Sequence, residues 1–193
     1  GPFFRHMDAA NVDLKSFSES FYHKLTGAHL QPVLDTLIYL VRHTDVWIEL
    51  TTLLIPGKND SNAELDEMTR WVVEHLGPDV PMHFTAFHPD WKMRDIPPTH
   101  PETLSRARDL ALSNGIHFAY TGNVHDSRGG STWCPDCGSL LIDRDWYRLG
   151  EWNLTPEGRC HNCNARIPGI FEASPGHWGA RRLPVQMEGG RIA

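Results

Sequence analysis

The sequence predicts an α/β fold: a partial (half) β/α barrel of about four parallel strands, followed by a small zinc ribbon built on four cysteines. Two observations predict it. Short apolar runs alternate with helical stretches along residues 11–123, and two CxxC pairs follow. Strands that alternate with helices favour a parallel sheet, because parallel neighbours need a crossover connection. We expect a tag or linker at 1–7, the half-barrel at 8–127, the ribbon at 128–172 and an extended C-terminal tail at 173–193.

The elements of the half-barrel follow from composition and from helix start and stop signals. Runs rich in branched and aromatic residues predict strands at 11–17, 46–55, 81–88 and 116–123. Helices are predicted at about 31–43, from a cap at Ser61 or Asn62 to Leu76 before Gly77-Pro78, and at about 101–114 before Gly115. Shorter strands are expected inside the ribbon at 139–143 and 146–149.

Alternation along the strands separates an apolar face from a polar one. Apolar side chains that helices would cover are Val12, Leu14, Ile48, Leu50, Met82, Phe84, Ala86, Phe118 and Tyr120. The opposite face would carry Asp13, Lys15, Glu49, Thr51, His83, Thr85, His117 and Thr121. Polar groups are costly to bury without partners, so we expect this second face to line a cavity or to bind something.

The cysteines carry the strongest local signal in the chain. Cys134-Pro-Asp-Cys137 and Cys160-His-Asn-Cys163 are two CxxC turns, each of which aims two sulfurs at one ion. The sequence therefore predicts a closed, structural four-thiolate site for zinc. No position is open for water in such a site, so we expect no hydrolysis there.

Composition sets further bounds. A formal net charge of −6 and the lack of a basic stripe argue against nucleic-acid binding. No apolar run approaches the length that spans a bilayer, and no signal-peptide pattern is present, so no membrane association and a cytoplasmic location are expected. Serine-hydrolase, P-loop and dinucleotide motifs are absent from the sequence.

Several phrases resemble one enzyme family. They are residues 13–17 (DLKSF), 25–27 (LTG), 47–60 (WIELTTLLIPGKND), 84–98 (FTAFHPDWKMRDIPP) and 120–124 (YTGNV). Together they resemble the C-terminal half of a radical SAM enzyme, similar to pyruvate formate-lyase activating enzymes in the branch called the AmmeMemoRadiSam system. The resemblance runs from about Asn11 to Val185. It implies that the strands are the last four of a (β/α)₆ barrel, and that Asp13, Lys15, Asn59 and His88 contact S-adenosylmethionine.

The chain departs from that family at one decisive point. Radical SAM chemistry needs a CxxxCxxC loop to hold a [4Fe–4S] cluster, and all four cysteines here belong to the ribbon. We therefore expect a truncated activase-like module with structural zinc that does no radical chemistry unaided. Open strand edges in a half-barrel also predict a homodimer or larger assembly.

Two other functions stay open from the sequence. If the alternation holds, Glu49, His83 and His117 lie on one face, and two histidines with one carboxylate are a catalytic zinc set of a hydrolase with a second zinc. Alternatively the ribbon and the segment 171–185, with Trp152 and Trp178 as anchors, bind a protein partner.

Overall fold

The computed structural model describes residues 4–175. A parallel sheet in the order β1-β2-β3-β4 is followed by a three-stranded antiparallel sheet, β5-β6-β7. The parallel strands are β1 (Ala9–Asp13), β2 (Trp47–Leu54), β3 (Met82–Ala86) and β4 (Ala119–Gly122); the others are β5 (Thr132–Trp133), β6 (Leu140–Asp145) and β7 (Arg148–Trp152). The predicted α/β fold with a cysteine cluster near the C-terminus is confirmed.

Helices fill the crossovers between the parallel strands. The helices are α1 (Glu19–Phe21), which continues as a π-helical turn over Tyr22–Thr26, α2 (Leu30–His43), α3 (Asn62–Leu76), α4 (Pro101–Ser113) and the short α5 (Ser127–Gly130). The Ser61 side chain caps α3 by accepting from the Glu64 amide, as one of the two predicted caps. Within residues 4–175, none of these helices has the length and apolarity needed to cross a membrane.

Burial alternates along the sheet, as predicted for β2. Ile48, Leu50 and Leu54 are buried against the helices, with Leu50 and Leu54 fully inaccessible. The main core joins them to side chains of the helices and neighbouring strands, including Leu37, Leu40, Leu65, Met68, Val72, Phe84, Leu104 and Ala107. The intervening residues of β2 are only half-buried, so the helices cover one face of the sheet.

The prediction for the first strand and the segment after it was wrong. The first strand spans Ala9–Asp13 rather than 11–17, and Leu14 follows it as a fully buried residue. The chain then turns into α1 and its π-helical continuation, neither of which was predicted. Ser18 starts this segment because its side chain accepts from the Phe21 amide.

The assignment of faces on β4 was also wrong by one residue. His83 is in register with Tyr120, and Phe84 with Thr121, so Tyr120 shares the polar face and Thr121 the helix-covered face. Phe118 packs in the ribbon core, whereas Ala119 packs in the main core. Both faces of β4 are therefore buried, because the ribbon covers the polar face there, and a simple apolar–polar alternation does not exist.

Buried polar side chains tie the carboxyl ends of the strands together. Asn59 is fully buried; its Oδ1 accepts from the Ile55 amide at 2.7 Å, and its Nδ2 donates to the carbonyls of Lys15 at 2.6 Å and Leu53 at 2.9 Å. Thr99 does the same between β2 and β3, since its hydroxyl donates to the Leu54 carbonyl and accepts from the Phe87 amide. These hydrogen bonds hold the backbone in place at the carboxyl ends of the strands, where the connecting loops begin.

Replacing Asn59 with alanine tests how much the three hydrogen bonds of its side chain stabilise the fold. We expect Asn59→Ala to lower the free energy of unfolding by about 3 kcal/mol, because three buried backbone groups lose their partner. Urea unfolding followed by circular dichroism measures it. The matched control is Asn62→Ala at the exposed start of α3, for which we expect a change of about 0.5 kcal/mol or less. Equal effects of the two substitutions would contradict a stabilising role for the Asn59 side chain.

Candidate functional site

Four cysteine sulfurs converge between the β5–β6 turn and the segment after β7. They all lie within 4.8 Å of one another, and they form the only group of three or more potential metal ligands between residues 4 and 175. Cys134 and Cys163 are 3.6 Å apart, and Cys137 and Cys160 are 3.7 Å apart, each measured from sulfur to sulfur. None of the four forms a disulfide.

The spacing of the sulfurs fits one tetrahedral ion. Ligands about 2.3 Å from a central metal stand roughly 3.8 Å from one another in a tetrahedron. The two separations of 3.6 and 3.7 Å are close to this value. The two knuckles have the same local geometry, because Gly138 and Asn164, each directly after the second cysteine, adopt positive φ angles of 71° and 64°.

The thiols themselves differ in environment. Burial raises the pKa of Cys134 to about 12, whereas hydrogen bonds from Asn162 and Ser139 lower the pKa of Cys137 to about 5. Only thiolates ligate metals, so binding an ion must release the proton that Cys134 holds. The donor set, the distances and the closed shell therefore suit a metal ion that supports the fold and does not bind substrate.

A second group of polar side chains lies on the uncovered face of the parallel sheet; we call it the inner-face cluster, comprising Trp47, Glu49, His83, Tyr120 and Arg144. His83 Nε2 lies 2.7 Å from Glu49 Oε2, and Trp47 Nε1 donates to Glu49 Oε1 at 3.2 Å. The hydrogen bond from His83 is the main cause of the lowered pKa of Glu49. Both carboxylate oxygens are thus held, which fixes Glu49 and the imidazole beside it.

Tyr120 and Arg144 connect this cluster to the ribbon. The ring of Tyr120 stacks on His83 with 5.0 Å between the ring centroids, and the Arg144 guanidinium carbon lies 5.9 Å from the centre of the Tyr120 ring. The Tyr120 hydroxyl is 3.0 Å from the Thr132 hydroxyl, to which Arg144 also donates. Burial raises the pKa of Tyr120, so its hydroxyl stays protonated at neutral pH.

The structure brings only part of the predicted hydrolase set together. Glu49 and His83 are in contact, but His117 precedes β4, is exposed and pairs with Asp79 at 2.8 Å. The error follows from the one-residue shift of faces on β4. Tyr120 was assigned to the wrong face for the same reason, whereas Arg144 was missed because it lies on β6 of the ribbon, which was not predicted to pack on the sheet.

The residues predicted to contact S-adenosylmethionine lie at the carboxyl ends of β1 to β3. Asp13 is exposed and pairs with Lys15 at 2.8 Å, while His88 is exposed beside the Pro89 carbonyl. The side chain of Asn59 is fully occupied by backbone groups, so its contribution to any ligand site there is to position Lys15. Trp178 and the segment after residue 175 lie outside the described residues.

The sequence is similar to that of a curated protein. The chain is 41% identical over 162 residues to an uncharacterized protein of Methanocaldococcus jannaschii; the match covers 83% of this chain and 48% of that one. The chain thus spans about half the length of this curated relative. No protein-family model matches the sequence.

Among solved structures, a domain of pyruvate-formate lyase-activating enzyme from Bacteroides vulgatus superposes with a TM-score of 0.55 and 14% identity, covering 63% of this chain and 71% of that one. A radical SAM methyltransferase from Sphaerobacter thermophilus gives a TM-score of 0.49 and 19% identity, covering 67% of this chain and 37% of that one. The first superposition shows that this chain has the fold of that Bacteroides vulgatus domain, which is the fold that the sequence resemblance implied.

The Glu49–His83 contact predicts a change in acid stability. Because the pKa of Glu49 is lowered in the folded protein, its stabilising effect is present above the unfolded value of about 4.3 and is lost as pH falls through the folded value. Glu49→Gln should therefore flatten the acid limb of a plot of unfolding midpoint against pH below about pH 5. The side chain is 37% exposed, so solvent screening keeps the effect modest.

The control for this experiment is Glu67→Gln, which changes an exposed carboxylate of α3 that makes no hydrogen bond among the described residues. It should follow the wild-type curve. If Glu49→Gln also follows that curve, the contact with His83 contributes nothing to stability.

Proposed function

We propose that this chain is a radical SAM activase-like module in which zinc holds the ribbon, and which does no radical chemistry without a cluster supplied from elsewhere. The observation that carries the proposal is the closed set of four thiolates joined to a parallel β/α sheet of activase-like fold. All four cysteines of the 193 residues are used in that set, so none is left for a CxxxCxxC loop. A cytoplasmic location belongs to the same proposal, since reduced thiolates persist there.

Zinc is favoured over iron by the construction of the site. Two CxxC knuckles on adjoining turns of a small antiparallel sheet are the arrangement of structural zinc ribbons. The ribbon core is small: its buried hydrophobic residues are Phe118, Cys134, Leu141, Ile142, Leu154, Cys160 and Ile167. Two of them are ligands, so the ion would contribute to folding directly, as in other small metal-stapled folds.

Metal analysis tests this proposal. We expect about one zinc per chain and no iron after exhaustive dialysis, measured by mass spectrometry. Removal of the ion by a strong chelator should abolish amide-exchange protection in β6 and β7 while β2 and β3 keep theirs, and added zinc should restore it. A second zinc per chain would instead support an open site at Glu49 and His83 and so the hydrolase.

The open edge of β1 supports self-association, the second part of the proposal. Trp47 donates to the Asp8 carbonyl and Leu14 donates to the Thr51 carbonyl, so the even-numbered residues of this strand face β2. In a parallel ladder the amides of Ala9, Asn11 and Asp13 then point to the other side, where no strand pairs among the described residues. We infer that a second copy of this chain occupies this edge and forms a homodimer.

Proline at the edge tests the dimer. Asn11→Pro removes an outward amide and keeps the backbone bonds to β2, losing only the bond that the Asn11 side chain accepts from the Thr51 hydroxyl. We therefore expect a monomer by light scattering at tens of micromolar, where the wild type is a dimer. A second proline variant, Ala9→Pro, should behave similarly. A monodisperse wild-type monomer, or a dimer that survives both substitutions, would remove this part of the proposal.

A further inference from the structure

Arg144 stands out among the charged side chains of the inner-face cluster. It is half-buried, it lies over the Tyr120 ring, and it donates to the Thr132 hydroxyl. It has no carboxylate partner within ion-pairing distance among the described residues. A guanidinium has five donors, and a single hydroxyl leaves most of them for another acceptor.

Two cavities meet at this guanidinium. One has a volume of about 650 Å³ and the other about 500 Å³, and Glu49, Tyr120 and Arg144 line both. The carboxylates near Arg144 are already committed. Glu49 is held by Trp47 and His83, Asp126 accepts from Thr121 and from the Gly129 amide, and Asp145 lies 3.1 Å from His125. Among the described residues, Arg144 is the only arginine or lysine in the walls of these two cavities, and it forms no ion pair there.

The larger cavity indicates the size and polarity of the rest of the ligand. Its apolar walls come from both parts of the fold and include Trp47, Phe118, Ile142, Ile167 and Phe171, while Asp8, Asp45 and Asp79 also line it. A molecule that filled it would bury an apolar body and present one anionic group to the guanidinium. Sites of this size with a few fixed polar groups are the usual dimensions of small-molecule pockets.

We propose that this cavity binds a small organic monocarboxylate, with the carboxylate on Arg144 and an apolar body against Phe118 and Ile142. Guanidinium and carboxylate form paired, charge-assisted hydrogen bonds, which a planar oxyanion accepts well. The neighbouring Glu49 is hydrogen-bonded to His83 and Trp47 and forms no ion pair with Arg144, although the guanidinium also helps to lower the pKa of Glu49. This site is distinct from the four-thiolate centre and does not depend on radical chemistry.

Benzoate is a suitable probe, with benzamide and benzylamine as isosteric neutral and cationic controls. Isothermal titration calorimetry on the full chain should detect binding of benzoate, at least about tenfold weaker binding of benzamide and none of benzylamine. Inorganic phosphate should bind more weakly than benzoate, because it lacks the apolar body. Preferential binding of phosphate or of benzylamine would overturn the proposed ligand class.

Arg144→Gln should weaken benzoate binding by about tenfold or more, whereas Arg148→Gln, on the exposed neighbouring strand of the same hairpin, should leave it unchanged. If the first substitution disturbs the ribbon, the wild-type protein alone decides the question. Benzoate should shift the indole N–H resonance of Trp47 in a ¹⁵N–¹H spectrum and leave that of Trp71 on α3 in place. No shift at Trp47, or equal binding to both variants, would overturn the site.

Discussion

The helices cover only one face of the parallel sheet, and most other features of the structure follow from this constraint. The core beneath α2, α3 and α4 is dense and apolar, whereas the opposite face carries side chains such as Asn11, Thr51 and Glu49 that retain access to solvent. A parallel sheet is usually buried on both faces. The exposed face is thus available for polar residues that helices on both faces of the sheet would exclude.

At the β4 side of the sheet, the ribbon covers the face that the helices leave open. It packs on Phe118 and Tyr120 of the last strand region, and Thr132 and Arg144 supply the polar contacts across the junction. Thr132 lies two residues before Cys134 in the chain. The thiolate site and the inner-face cluster are therefore joined by a short stretch of β5, so the order of the ribbon determines whether Arg144 is held over Tyr120.

Elements whose surroundings are simple could be predicted from the sequence. β2 alternates strictly because one side meets helices and the other does not, and the cap of α3 depends only on local hydrogen bonds from Ser61. The CxxC pairs need no tertiary information at all. By contrast, β4 is buried on both sides by different partners, so nothing in its own residues could show that Tyr120 faces His83. The hydrogen bonds of Asn59 could not be predicted either, because an Asn-Asp turn has the same sequence whether its side-chain amide is buried or exposed.

The separation of the two ends of the sheet has a chemical consequence. Asp13, Lys15 and His88 follow the carboxyl ends of their strands, where sites of β/α barrels are found. Glu49, His83 and Tyr120 lie near the amino ends of theirs, where the ribbon packs against Tyr120. A ligand at the carboxyl ends of the strands and the carboxylate proposed at Arg144 would therefore lie at opposite ends of the polar face and would not compete.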